Sequence, residues 1–179
     1  MNLGKKIVSV VAGVALVAGA GAIAAAPAQA KPKPTTKGIT VISFDKALAP
    51  VVAGIVPVAP AKKDGTRLSF PVSKVVGNGV EHKGGIKIGA LEASNPVILI
   101  DTENSTAVVN VTVAGNALPL FSIKNFKIGT DNKKQQVWQG FLHLTDNQLV
   151  VDALNAAVGQ AVFTPDMGLG EIRTTINKK

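Results

Sequence analysis

His82 and His143 are the only imidazoles in a chain of 179 residues that has no cysteine and no tyrosine. That inventory limits the chemistry. Acyl transfer needs a nucleophile, a base and a group that orients the base. No Gly-x-Ser-x-Gly elbow occurs, and neither histidine sits in a local motif that would serve a serine. Glycoside hydrolysis needs two carboxylates across the scissile bond. Asp101 and Glu103 share one face of a strand end, but such pairs are common at turns. Two histidines without thiols do not build a usual zinc site. Asp131-Asn132 and Asp64-Gly65 lack the remaining ligand spacing of a calcium loop. The Asn104-Ser105-Thr106 and Asn110-Val111-Thr112 sequons carry no message in this setting. The reading is therefore no catalytic residues, no metal site and no enzyme.

Two stretches are more pointed. Glu81-His82-Lys83-Gly84-Gly85-Ile86 places a histidine just before paired glycines inside a strand. Glycine at such a position marks a bulge or a close backbone approach. A bulge there would turn His82 into a cleft; a surface histidine beside a kink is the plainer alternative. Trp138, Phe141 and His143 lie on a second strand, with Phe141 and His143 on one side and Trp138 on the core side. His82, Phe44, Gly84, Gly85 and His143 are thus the candidate ligand-binding residues.

These residues must be held by a β-rich scaffold. Val, Gly and Thr are abundant, and Val, Ile, Leu and Ala supply the core in place of aromatics. Strands are expected at 38–43, 55–58, 67–72, 80–90, 96–102, 107–113, 118–124, 126–128, 136–144 and 171–176, with turn residues between them and a polar turn at 61–65. Ala107, Val109, Val111 and Val113 alternate with Asn110 and Thr112, the pattern of a half-buried antiparallel strand. The regular spacing predicts an antiparallel β-sandwich or partly open barrel.

Two helices are expected beside it. Residues 44–54 have helical apolar spacing broken by Pro50, so a short or kinked helix capped by Ser43 or Asp45 and ended by Gly54 is predicted. Residues 146–158 form the stronger helix. Thr145 is its expected cap, Gln148 completes a capping box, and Leu144 meets Leu149 as a staple. Leu149, Val150, Ala153, Leu154, Ala157 and Val158 make its apolar stripe, and Gly159 ends it.

The first thirty residues address the chain rather than fold it. Lys5-Lys6 precede an uncharged run over 7–26 that leads to Ala28-Gln29-Ala30. This is the layout of a secretory signal peptide, with cleavage expected between Ala30 and Lys31. The run is long enough to span a bilayer, but its second half is Ala and Gly, so retention as an anchor is disfavoured. Residues 31–37 (KPKPTTK) form a basic, polar leader expected to be disordered. Residues 38–179 make one domain. Secretion without cysteine means a core with no disulfide staples.

The net charge of +8 falls to +6 without Lys5 and Lys6, and to +1 without Lys31, Lys33, Lys37, Lys178 and Lys179 in the tails. A nucleic-acid binder concentrates charge on a folded face among stacking aromatics, so nucleic acid is not an expected partner. The basic tails suit an anionic surface such as the cell wall.

The order of the segments "ISFDKALAPVVAG", "RLSFPVS", "VEHKGGIKI", "LFSIKNFK" and "LHLTDNQLVVDALNAAVG" resembles the haem-transport-associated HtaA-like domain of secreted proteins in high-GC Gram-positive bacteria. The resemblance implies a β-rich module with two short helices. It also implies haem binding through a tyrosine near the first helix, backed by a histidine in the later glycine-containing strand. His82 falls at the position of that histidine. The tyrosine has no counterpart around 44–48 or anywhere else, so haem held by tyrosine is excluded by composition. His82, His143 or Met167 remain as conceivable axial ligands. The expected function is a secreted, non-catalytic binding module of the cell envelope with an apolar or planar ligand, haem among them. The alternative is a structural or interaction protein of the cell wall with no small-molecule ligand.

Overall fold

The computed structural model describes residues 37–132 and 134–178. The expected signal peptide, its cleavage site and residues 31–36 of the leader lie outside them. No helix among the described residues is long and apolar enough to cross a membrane.

Eleven strands and two short helices follow in the order β1 (Gly38–Phe44), a 3-10 turn at Lys46–Leu48, α1 (Ala49–Ala53), β2 (Ile55–Val58), β3 (Lys62–Asp64), β4 (Arg67–Val76), β5 (Gly79–His82), β6 (Gly85–Ile88), β7 (Leu91–Asp101), β8 (Thr106–Val113), β9 (Asn116–Asn132), β10 (Gln135–Leu144), α2 (Gln148–Val158) and β11 (Gly168–Asn177). All pairings are antiparallel. Eight of the strands make a ring in the order β7-β5-β4-β1-β11-β10-β9-β8, which returns to β7. The expected antiparallel β-rich architecture is present; the barrel is closed rather than partly open, with β2, β3 and β6 outside the ring. Closure comes from the two ends of the domain: β1 lies between β11 and β4, matched from Gly38↔Ile176 to Phe44↔Gly170.

Closing eight strands requires tilt and local bending. The bends sit at irregularities in register between Ser94 and Val97, Val109 and Asn110, and Gln139 and Phe141. At the last, Asn125 is the extra residue on β9, held at a left-handed φ of 51°. Gly140 faces it, and a Cβ there would stand 2.7 Å from the Lys124 carbonyl oxygen. The segments expected at 118–124 and 126–128 are thus one bent strand. Residues 80–90, expected as one strand, break at Lys83-Gly84 into β5 and β6. β6 leaves the ring to pair with β2 and the first half of β7. The polar turn expected at 61–65 includes β3, which pairs with β4.

The helices close one end of the barrel. Pro50 does not kink a helix, because α1 starts beside it and Pro is compatible with a first turn. Asp45 precedes the 3-10 turn without a side-chain cap. The C-terminal end of α1 is tied by Lys63, whose Nζ donates to the carbonyls of Val52, Ala53 and Ile55 at 3.2, 2.9 and 2.6 Å. A cation there satisfies carbonyls that a helix leaves without partners.

α2 starts two residues later than expected. Its cap is Asn147, whose Oδ1 accepts from the Leu149 amide at 3.1 Å. Thr145 is buried and still belongs to the strand end, its amide bonded to the Leu120 carbonyl. The shift rotates the apolar stripe: Val151 and Leu154 are buried, while Leu149 is 79% exposed and makes no staple. Gly159 ends the helix in the left-handed region, as expected. Asn155 then fixes the exit, with its Oδ1 accepting from the amides of Val162 and Phe163 and its Nδ2 donating to the Phe163 carbonyl.

The two assignments of the cap predict different variants. Asn147→Ala should lower stability by about 1 kcal/mol, whereas Gln148→Ala should cost only a few tenths, since the Gln148 side chain is exposed and donates to Asp152 one turn on. Urea denaturation of both variants measures the difference.

Candidate functional site

β5 turns His82 inward, because the chain alternates and Val80 is buried beside it. His82 is 3% exposed. Its Nδ1 lies 2.8 Å from the Pro96 carbonyl oxygen on β7, and its Nε2 lies 2.6 Å from Thr40 Oγ1 on β1. Thr40 Oγ1 is in turn 2.7 Å from Thr174 Oγ1 on β11. A carbonyl only accepts, so Nδ1 carries the proton and donates to Pro96. Desolvation lowers the His82 pKa from 6.5 to about 4, against a smaller opposing effect of the Pro96 carbonyl. The ring is therefore neutral at pH 7. Nε2 accepts from the Thr40 hydroxyl, and that oxygen accepts from Thr174. Both ring nitrogens are occupied by the protein itself.

The paired glycines serve this packing. Gly84 has φ +87°, and a Cβ on it would meet the Val58 carbonyl oxygen at 2.6 Å and the Ala61 amide at 2.7 Å. A Cβ on Gly85 would strike the Ala93 carbonyl oxygen. The close backbone approach is to neighbouring segments of the same chain.

Two small voids adjoin in the barrel. One, lined by His82, Thr40, Phe70, Pro96 and Val111, has about 30 Å³. The other lies beneath the helices among Leu48, Val52, Leu120, Leu154 and Phe163, and also has about 30 Å³. Small-molecule sites usually have about 300–1,000 Å³. Phe44 and Phe121 line both voids. The interior is packed.

Phe44 also lines a third space, on the outside. This open cleft of about 370 Å³ lies between Ser43–Lys46 and the strands β10 and β11, and it contains Phe141, His143, Gly168 and Glu171. His143 Nδ1 is 3.0 Å from the Asp166 carbonyl oxygen and 3.5 Å from the Asp166 carboxylate. That carboxylate is held below its usual range, first by its hydrogen bond from Lys124. With Nδ1 donating to a carbonyl, His143 Nε2 is the nitrogen left to accept, and it has no hydrogen-bond partner among the described residues. Phe141, 48% exposed, stands on the same face. The structure thus divides the five candidates. Phe44 is the partition, with His82, Gly84 and Gly85 on its inner side and His143 on its outer side. Phe141 completes the cleft; its place beside His143 on one strand face was the signal in the sequence.

The other polar candidates are accounted for locally. Asp101 accepts from the amides of Glu103 and Asn104 and from Asn104 Nδ2, which closes a turn and lowers its pKa. Asp131 pairs with Arg173 at 2.7 Å. No group of three or more potential metal ligands occurs among the described residues.

No family model matches the chain, and no curated protein matches it. Solved structures do. The C-terminal domain of HtaA from Corynebacterium glutamicum superposes with a TM-score of 0.54 at 13% identity, over 79% of this chain and 97% of that one. The heme binding protein HtaB from the same organism superposes with a TM-score of 0.55 at 16% identity, over 79% of this chain and 93% of that one. The chain has the HtaA fold. Within that fold, haem does not fit at His82: the ring has no free nitrogen, the adjoining void is about 30 Å³, and no tyrosine exists to be backed.

The buried imidazole makes stability depend on pH. His82 takes up a proton near pH 6.5 in the unfolded chain and only at about 4 in the fold. Its contribution is complete above pH 6.5 and is lost as pH falls towards 4, by about 1.4 kcal/mol per unit and about 3 kcal/mol in all. Denaturant titrations at pH 7 and pH 4 should show wild type losing about that much more than His82→Gln. Equal losses would mean that His82 is protonated in the fold.

Proposed function

We propose that the protein is an exported, non-catalytic binding module of the bacterial cell envelope. Its ligand is a planar molecule with an apolar face, of the haem class, taken in the outer cleft. The observation that carries this reading is the free Nε2 of His143 in a cleft that Phe44 and Phe141 line. Its volume of about 370 Å³ lies within the usual range for small ligands. Lys46 at the rim suits an acidic substituent. If haem is the ligand, His143 would supply the axial nitrogen and Phe44 and Phe141 an apolar lining for the ring, and the bound iron would supply the bond to the imidazole. The heme binding protein HtaB shares the fold, which supports this class of ligand. The signal-like segment over 1–30 supports export, and the basic leader supports the envelope.

Titration of the protein with haemin tests the reading. A saturating Soret shift is expected for wild type and for His82→Gln, and its loss for His143→Ala. No shift in wild type, or one that survives His143→Ala, overturns it.

A further inference from the structure

On the outer surface, five neighbouring strands (β4, β1, β11, β10 and β9) form a broad open groove of about 660 Å³. Register lays its side chains in two rows across the strands. One row runs Ser69, Val41, Arg173, Gln139, Lys127. The other runs Arg67, Ser43, Glu171, Phe141, Lys124. Strands lie about 4.8 Å apart, so each row extends for about 19 Å. That step is close to one sugar ring per strand.

The chemistry along the rows is mixed. Arg67, Lys127 and Arg173 face a single lining carboxylate, Glu171. Arg173 is already paired with Asp131, and Lys124 with Asp166. Arg67 and Lys127, at opposite margins of the groove, make no ion pair among the described residues. Asn125, projected by the bulge, and Gln139 offer amides, and Ser43 and Thr175 offer hydroxyls. Phe141 is the lone aromatic on this face.

We propose that this groove binds a linear acidic polysaccharide. A pyranose presents an apolar C–H face, which packs on an exposed phenyl ring, and a rim of hydroxyls, which amides and carboxylates bind in pairs. Repeated carboxylates along the chain meet Arg67 and Lys127, where charge-assisted hydrogen bonds are strongest. Other linear partners fit less well. A peptide strand needs an open sheet edge, and the middle of a closed barrel offers none. Single-stranded nucleic acid needs several stacking aromatics, and one is present. The groove adjoins the His143 cleft and shares Ser43, Phe141 and Glu171 with it; Arg67 and Lys127, which carry the charge recognition, line the groove alone.

Calorimetric titration of the full chain with an oligogalacturonate, with a neutral maltodextrin and oligothymidylate as comparators, decides it. Binding of the uronate is expected at low salt, weaker at physiological salt, and tighter than either comparator. Arg67→Ala combined with Lys127→Ala should weaken it about tenfold or more, and Phe141→Ala should weaken it as well. Lys83→Ala combined with Lys87→Ala removes equal charge from an exposed site elsewhere and should change it less than about twofold. Absence of uronate binding at low salt, an equal loss in the Lys83/Lys87 variant, or tighter binding of oligothymidylate overturns the proposal.

Discussion

A one-way chain of hydrogen bonds crosses the barrel interior, from Thr174 to Thr40 to His82 to the Pro96 carbonyl. It joins β11, β1, β5 and β7, and so ties the closing pair of strands to β5 and β7 past the intervening β4. Its direction is fixed at both ends: the Pro96 carbonyl accepts only, and the neutral imidazole has one proton to give. Buried polar groups of this kind are costly unless every partner is present. An apolar lumen built from Val, Ile and Leu would tolerate small shifts in register; this chain of partners does not. It holds the register of β11, β1, β5 and β7 at one level, at the same time as it occupies both nitrogens of His82.

The same constraint explains why binding is argued for the outside. A ligand entering beside His82 would have to break two short hydrogen bonds and open voids of about 30 Å³ each. Beside the helices, Lys63 holds α1 by its last carbonyls and Asn155 holds the segment after α2, so the apolar side chains of both helices stay packed on the core. The outer cleft asks for neither change. His143 is oriented by the Asp166 carbonyl, and its Nε2 side lies against Gly168, which lines the same cleft. Phe44 serves both sides, since it packs against the core while lining the cleft.

Alternation and turn residues made most of the strands legible. The pattern from Ala107 to Val113 and the stop at Gly159 stand in the structure as the residues imply. Closure was not legible, because it depends on pairing Gly38–Phe44 with Gly168–Asn177, and nothing local marks that partnership. The helix cap was misread for a physical reason: Thr145 and Asn147 are both good caps, and the choice between them is made by the Leu120 carbonyl, which holds the Thr145 amide in the sheet. Gly84 and Gly85 did announce close backbone contact. The sequence could not say that the approaching backbone belongs to the chain itself, at Val58–Ala61 and Ala93. Lys63 gave no signal at all, since a lysine in a polar stretch looks the same whether it caps a helix or meets water.

The resemblance seen in the segment order and the superposition on HtaA and HtaB concern the same frame, at 13% and 16% identity. At that distance a frame persists while its contents change. Here the change is specific. A tyrosine beside the first helix would need a hydrogen-bond acceptor or donor at its hydroxyl, and the imidazole that the resemblance assigns to that task is engaged instead by Thr40 and Pro96. The buried imidazole is satisfied by Thr40 and Pro96 without any ligand. Phe141, His143, Arg67 and Lys127 take no part in that thread of hydrogen bonds, so the groups on the outer face are separate from the one that fills the interior.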